Sequence, residues 1–251
     1  MLNLMPTTNT GHRSISVSNP ALQTKIRVLG GGLFAFLLPF FFITLNVSYI
    51  TNSEWLYTYG WWRNDIAGRS GLTEHELNRG ADQIKEYFSN DAELLDVRVV
   101  LNGNEVSLYN KREVLHMVDV KELMQGVFSL ARVTGGSILL LTVIGILPLR
   151  RYSASLAFEA VGWSAAGTGA LLFVFAVAAI IDFGWLFTQF HFLSFTNDLW
   201  QLDPYQDYLL IMFPQQFFFD ATLFIGLLTL LDFALAYLLA GYAKKRFWER
   251  P

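Results

Sequence analysis

The chain has 251 residues, of which 53% are hydrophobic, 16% aromatic and only 16% charged, with a formal net charge of −3. Soluble domains carry roughly 25% charged residues, so this composition excludes an ordinary soluble enzyme and points to an integral membrane protein with one modest polar part. The weak acidity gives no reason to expect nucleic acid as a partner, and the lack of cysteine excludes disulfides, thiolate catalysis, acyl-cysteine intermediates and Cys-based metal sites.

Residues 1–24 are rich in Ser, Thr and Asn without periodicity, the pattern of a disordered cytoplasmic tail. Lys25 and Arg27 then precede an uncharged run ending at Ser53. A bilayer needs roughly 20 apolar residues, so transmembrane helix 1 is placed at 25–53, with Pro39 as a kink site. Residues 54–121 carry most of the charge and read as an extracytoplasmic α+β cap. Within it "TEHE", Thr73 to Glu76, is a capping box that starts a helix running to about Phe88. "LLDVRVVL" and "EVSLYN" alternate around the turn "NGN" at 102–104, a hairpin signal.

Asp119 and Glu122 form a second capping pattern, with Asp119 as N-cap of a helix that becomes transmembrane helix 2 at 122–149. Transmembrane helix 3 is placed at 155–190, a rim loop at 191–212, transmembrane helix 4 at 213–243 and a cytoplasmic tail at 244–251. The expected fold is an all-α membrane bundle of four transmembrane helices with a small extracytoplasmic α+β cap. Lys25/Arg27, Arg150/Arg151 and Lys244/Lys245/Arg246 all fall on one side of that topology, while the rim loop has no Lys or Arg. The positive-inside rule then puts both termini in the cytoplasm and the cap and rim loop outside.

Ionisable residues in membrane segments face bundle interiors and pair with one another. Arg132 and Asp182 are expected at similar depth in antiparallel neighbours, either as a structural ion pair or as the floor of an outward-facing cavity, with Asp220 near enough to join them. Glu159 is placed at the inner interface, and Asp232 has no evident partner. Of four histidines, His12 is in the tail and His75 in the first turn of a cap helix. His116 and His191 are far apart in sequence, yet topology brings both to the outer surface. They are either an acid–base pair or two interfacial histidines bonded to backbone carbonyls. Zinc held by the two histidines with Asp119 or Asp198 is a weaker alternative, because no HExxH spacing is present. There is no GxSxG, P-loop or dinucleotide fingerprint.

Two stretches carry a family resemblance: "EVLHMVDVK" (113–121) before the second span, and "FHFLSFTNDLWQLDP…LLIMFPQQFF" (190–218) between the third and fourth. Together they resemble the signatures of the lipoprotein intramolecular transacylase (Lit) family of bacterial membrane proteins, over roughly residues 28–245. The resemblance implies an acyltransferase of the bacterial cytoplasmic membrane. It would act on a diacylated lipoprotein N-terminus, moving the sn-2 acyl chain of the diacylglyceryl-cysteine to the cysteine α-amino group and giving a lyso-form lipoprotein. It also implies that His116 and His191 are the catalytic centre and that no separate acyl donor is used. Membrane lipid is a further expected partner, and no cofactor or metal is expected. His191 is assigned as base and His116 as partner and acid. Candidate oxyanion or substrate contacts are Asn197, Trp200, Tyr205 and Arg132, with Asp119, Asp198 and Asp182 behind them. Trp200 and the "FPQQFFF" aromatics either anchor the interface or line acyl-chain grooves. A non-enzymatic lipid- or protein-binding membrane module is the competing reading.

Overall fold

The computed structural model describes residues 20–248, and the extreme N-terminal tail with its His12 and the last three residues lie outside that range. Helix α1 spans Pro20–Asn52, and Pro39 lies inside it without ending it. Its start at Pro20 takes in residues expected to belong to the tail. Proline suits the first helical position because its missing N–H has no partner to lose there.

The cap follows as α2 (Glu54–Arg63), α3 (Ile66–Ser70), α4 (Glu74–Ser89) and an antiparallel hairpin of β1 (Arg98–Leu101) and β2 (Asn104–Ser107). Thr73 accepts the Glu76 N–H and caps α4. The Glu76 carboxylate does not return to Thr73 but crosses to β1, where it accepts the Val100 N–H at 2.6 Å. The hairpin turn places Asn102 and Gly103 at φ of 52° and 80°. Both are left-handed, as a two-residue turn matching the strand twist requires.

The next helix overturns one expectation. Asp119 is not an N-cap: α5 begins at Lys111 and passes through it. The cap is Asn110, whose side chain accepts from the Arg112 and Glu113 N–H groups while Glu113 returns a bond to the Asn110 N–H. Residues 111–121 are therefore helical, the first turns of α5.

α5 is helical from Lys111 to Ser194, 84 residues, which would reach about 126 Å if straight. The rings of His116 and His191 are 6.2 Å apart, so this helical run doubles back. Its arms are the apolar stretches Lys111–Ile144 and Ser153–Ser194. A loop over 195–207, α6 (Tyr208–Met212) and α7 (Gln215–Trp248) complete the chain. Val28–Asn52, the two arms of α5 and Gln215–Arg246 are four stretches long and apolar enough to cross a membrane.

Two cores differ in size. The larger joins the end of α1 to the cap, the start of α5, α6 and the start of α7, and includes Ile50, Trp61, Leu77, Val97, Met117, Met212 and Phe217. The smaller, in the spans, centres on Leu38, Val161 and Phe233. Small residues let the spans approach: a methyl group at Gly135 would meet the Phe41 ring at 2.8 Å. Close backbone approach of this kind is how helices pack without water to drive them together.

Candidate functional site

The doubling of α5 puts the first turns of one arm beside the last turns of the other. His116 lies in the second turn of the first arm, and His191 lies inside the helix rather than in the rim loop. Both are buried. Their rings are tilted by 33° at a centroid separation of 6.2 Å. A small group lying between rings so spaced can reach both directly or through one water.

The surroundings fix His191. Its Nδ1 is 2.6 Å from the Phe187 carbonyl oxygen, one turn earlier. A carbonyl can only accept, so Nδ1 carries the hydrogen, and in the neutral ring Nε2 is left with the lone pair. The Phe187, Phe190, Phe195 and Trp200 rings surround the imidazole at 4.4 to 5.6 Å. His116 packs edge-on to Phe195 at 5.2 Å, and its buried Nδ1 makes no hydrogen bond.

The rim loop is tied to the start of α5. Arg112 donates to the Asp198 carbonyl oxygen, Asn110 donates to Asp207 at 2.7 Å, and Asn197 donates to Asp119 at 2.9 Å. Glu113, 1% exposed, accepts from the Asn110 N–H at 2.7 Å and the Leu209 N–H at 2.6 Å. One carboxylate thus joins the beginning of α5 to the beginning of α6, one turn from His116. Sequence reasoning missed this clamp, although its signal is present: Asn110 followed three residues later by Glu113 is itself a capping pattern.

The candidate contacts separate cleanly. The Asn197 amide is engaged on both sides, since its oxygen also accepts the Leu199 N–H. Asp198 holds the loop, accepting from Gln201. Tyr205 is 90% exposed and does not join the buried pair. Arg132 lies sixteen positions along the helix from His116, about 24 Å, and is exposed. Asp182 is also exposed and bonds back to the Trp185 N–H.

The expected Arg132–Asp182 pair is therefore not formed, because the two lie at different depths. Asp220 pairs with Arg63 of α2 instead, at 3.8 Å. Asp232 does have a partner, accepting from Asn46 at 2.7 Å. His75 is largely exposed and sits 3.0 Å from Glu76. Among the described residues no group of three His, Asp or Glu side chains is placed to hold a metal ion.

A family model described as lipoprotein intramolecular transacylase Lit matches residues 32–218. An uncharacterized protein of Aquifex aeolicus (strain VF5) is 25% identical over 194 residues, covering 77% of this chain and 83% of its own length. Solved structures of the membrane integral lipoprotein intramolecular transacylase Lit from Bacillus cereus superpose with a TM-score of 0.71 at 21% identity, over 89% of this chain and 98% of that one. A variant of the same protein with one histidine replaced by alanine superposes at 0.72, over 90% and 97%. At that identity the likeness is one of fold.

Proposed function

This chain belongs to the lipoprotein intramolecular transacylase family, and we propose on that premise that it moves the sn-2 acyl chain of a diacylglyceryl-cysteine lipoprotein to the cysteine α-amino group by histidine acid–base catalysis. It is a multi-pass membrane acyltransferase. The observation that carries the mechanism is the buried His116–His191 pair with His191 fixed by Phe187.

The α-amine has an ordinary pKa near 8, so attack on an ester needs a base to hold it unprotonated. His191 Nε2 takes the proton as the nitrogen bonds to the ester carbonyl carbon. The C–O bond to glycerol then breaks as the proton taken up by His191 is returned, relayed through His116, to the leaving glycerol oxygen, so that both imidazoles end neutral as they began. Amine and ester belong to one molecule, so no acyl donor enters. The site mainly holds a reactive conformer, for which effective molarities on the order of 10⁵ M or more are attainable. Asn197, Asp119, Asp198 and Glu113 hold the rim over the pair.

The proposed orientation has both termini cytoplasmic and the cap and histidine pair at the extracytoplasmic face. The cationic ends at Lys25 and Lys244–Arg246 support it, as does the union of cap, rim and span ends in one core. Mass spectrometry of a lipoprotein N-terminal peptide tests the reaction. Lyso-form product is expected only from cells carrying this protein. His116→Ala and His191→Ala should each lower its formation by on the order of 10²-fold or more, with the protein still inserted and folded. An acylation pattern that does not change when the protein is removed would overturn the proposal.

A further inference from the structure

Acyl transfer builds negative charge on the ester carbonyl oxygen, and a donor aimed at that oxygen is usually the largest single source of stabilisation. Asn197 is exposed and tied to Asp119 and Leu199, Tyr205 is exposed, and Arg132 is exposed and distant. One polar atom near His191 has no such explanation. The Trp200 Nε1 is buried and makes no hydrogen bond. An indole N–H is a donor only, and a buried donor without an acceptor costs free energy that native structures rarely leave uncompensated.

Its place is well defined. The Trp200 ring lies against the His191 imidazole at 4.9 Å with 33° between planes, and Phe192 packs edge-on against the same indole at 5.1 Å. The backbone on either side is held by the Gln201 N–H to Asp198 and Leu202 N–H to Trp200 bonds, and Arg112 pins the loop through the Asp198 carbonyl. The donor is therefore held in place before any substrate arrives.

We propose that Trp200 is a catalytic residue, whose indole N–H donates to the sn-2 ester carbonyl oxygen as it becomes an oxyanion. This rests on the transacylase reading. As the amine nitrogen bonds to the carbonyl carbon, the C=O electron pair moves onto that oxygen, and the Trp200 N–H donates its hydrogen bond to the oxyanion so formed. When the C–O bond to glycerol breaks, the pair returns to form the amide C=O, and Trp200 ends with the hydrogen it began with. The carbonyl oxygen so held lies beside His191, which takes the proton of the attacking nitrogen.

The test uses full-length protein in vesicles with a synthetic diacylglyceryl-cysteine peptide. Two variants are compared with wild type: Trp200→Phe, and replacement of Trp200 by the benzothiophene analogue of tryptophan, which keeps the bicyclic shape and lacks the N–H. Both should lose kcat by on the order of 10²-fold, with KM within about twofold of wild type. Wild-type kcat in the benzothiophene protein overturns the assignment even if Trp200→Phe is impaired, because shape alone then explains the phenylalanine loss. That result leaves the transacylase reading standing. A wild-type protein without turnover overturns the reading and this assignment together.

Discussion

Leu77 in α4 and Leu171 in the second arm of α5 are the same side chain in opposite circumstances: one is fully buried in the larger core, the other 65% exposed. In the cap, water surrounds the chain, and burying apolar surface is what holds α2, α4, the hairpin and α6 together. In the spans, lipid is as apolar as leucine, so burial between helices gains little. That half exposes Phe173, Ile181 and Leu238 and is joined by small residues and a few polar contacts. The histidine pair sits at the junction, carried by spans and held by a rim that belongs to the water-built half.

The widest gap between the two halves should appear in a matched pair of substitutions. Leu77→Ala is expected to destabilise the folded protein by about 2–5 kcal/mol, the range for emptying a core leucine site. Leu171→Ala, at a lipid-facing position, should cost less than about 0.5 kcal/mol. Denaturant unfolding of both variants in the same detergent measures the difference. Equal losses would mean that the spans are also held by burial.

A second, smaller effect is expected where the halves meet. Glu113→Gln leaves one of the Asn110 and Leu209 N–H groups facing an amide NH₂ instead of an oxygen. Leaving a buried donor unmade costs about 1–3 kcal/mol. The rim should loosen with it, so transacylase activity should fall together with hydrogen-exchange protection at Leu209. Activity lost without any change in protection would show that Glu113 acts on substrate and not through the rim.

Much of this arrangement is legible in the sequence, for physical reasons that can be named. The spans are visible because hydrocarbon demands long uncharged runs. The α4 cap and the Asn102–Gly103 turn are visible because backbone groups there have few ways to be satisfied. Asp119 misled because an Asp three residues before a Glu satisfies the capping pattern anywhere, and only the chain's path decides which match is used. Here Asn110 wins, since its box is extended by Glu113 reaching Leu209, a contact across the fold that no local window contains. Arg132 and Asp182 misled for a related reason: similar depth was inferred from estimated span ends, but with His116 beside His191 Arg132 lies sixteen positions from the one and Asp182 only nine from the other. Asp232 found Asn46 on another helix. His116 and His191 could be nominated from topology, but the tautomer of His191 depends on Phe187, and the orphaned Trp200 N–H is visible only in three dimensions.

Within the spans the polar contact of Asn46 with Asp232 and Thr229 offers a smaller test. Hydrogen bonds between membrane helices average only about 0.6 kcal/mol, because the unfolded chain in lipid finds other partners. Asn46→Ala should therefore cost on that order, well below Leu77→Ala. A loss of several kcal/mol in the same unfolding assay would make this cluster a principal support of the bundle and would narrow the contrast with the cap.

The smallest expected effect belongs to the cap alone and appears only with pH. The Val100 N–H, with further help from His75 and Arg79, holds the Glu76 carboxyl below the usual carboxylate range. A depressed folded-state pKa stabilises the fold fully above the unfolded value of about 4.3 and loses that contribution as pH falls through the folded value. Glu76→Gln keeps an acceptor for Val100 but cannot titrate. Between pH 7 and pH 3 its Tm should fall less than that of wild type, with the two curves converging at the acid end. The spans contribute nothing to that difference, so the divergence isolates the water-facing half, and parallel curves would mean that the α4–β1 link does not depend on the charge of Glu76.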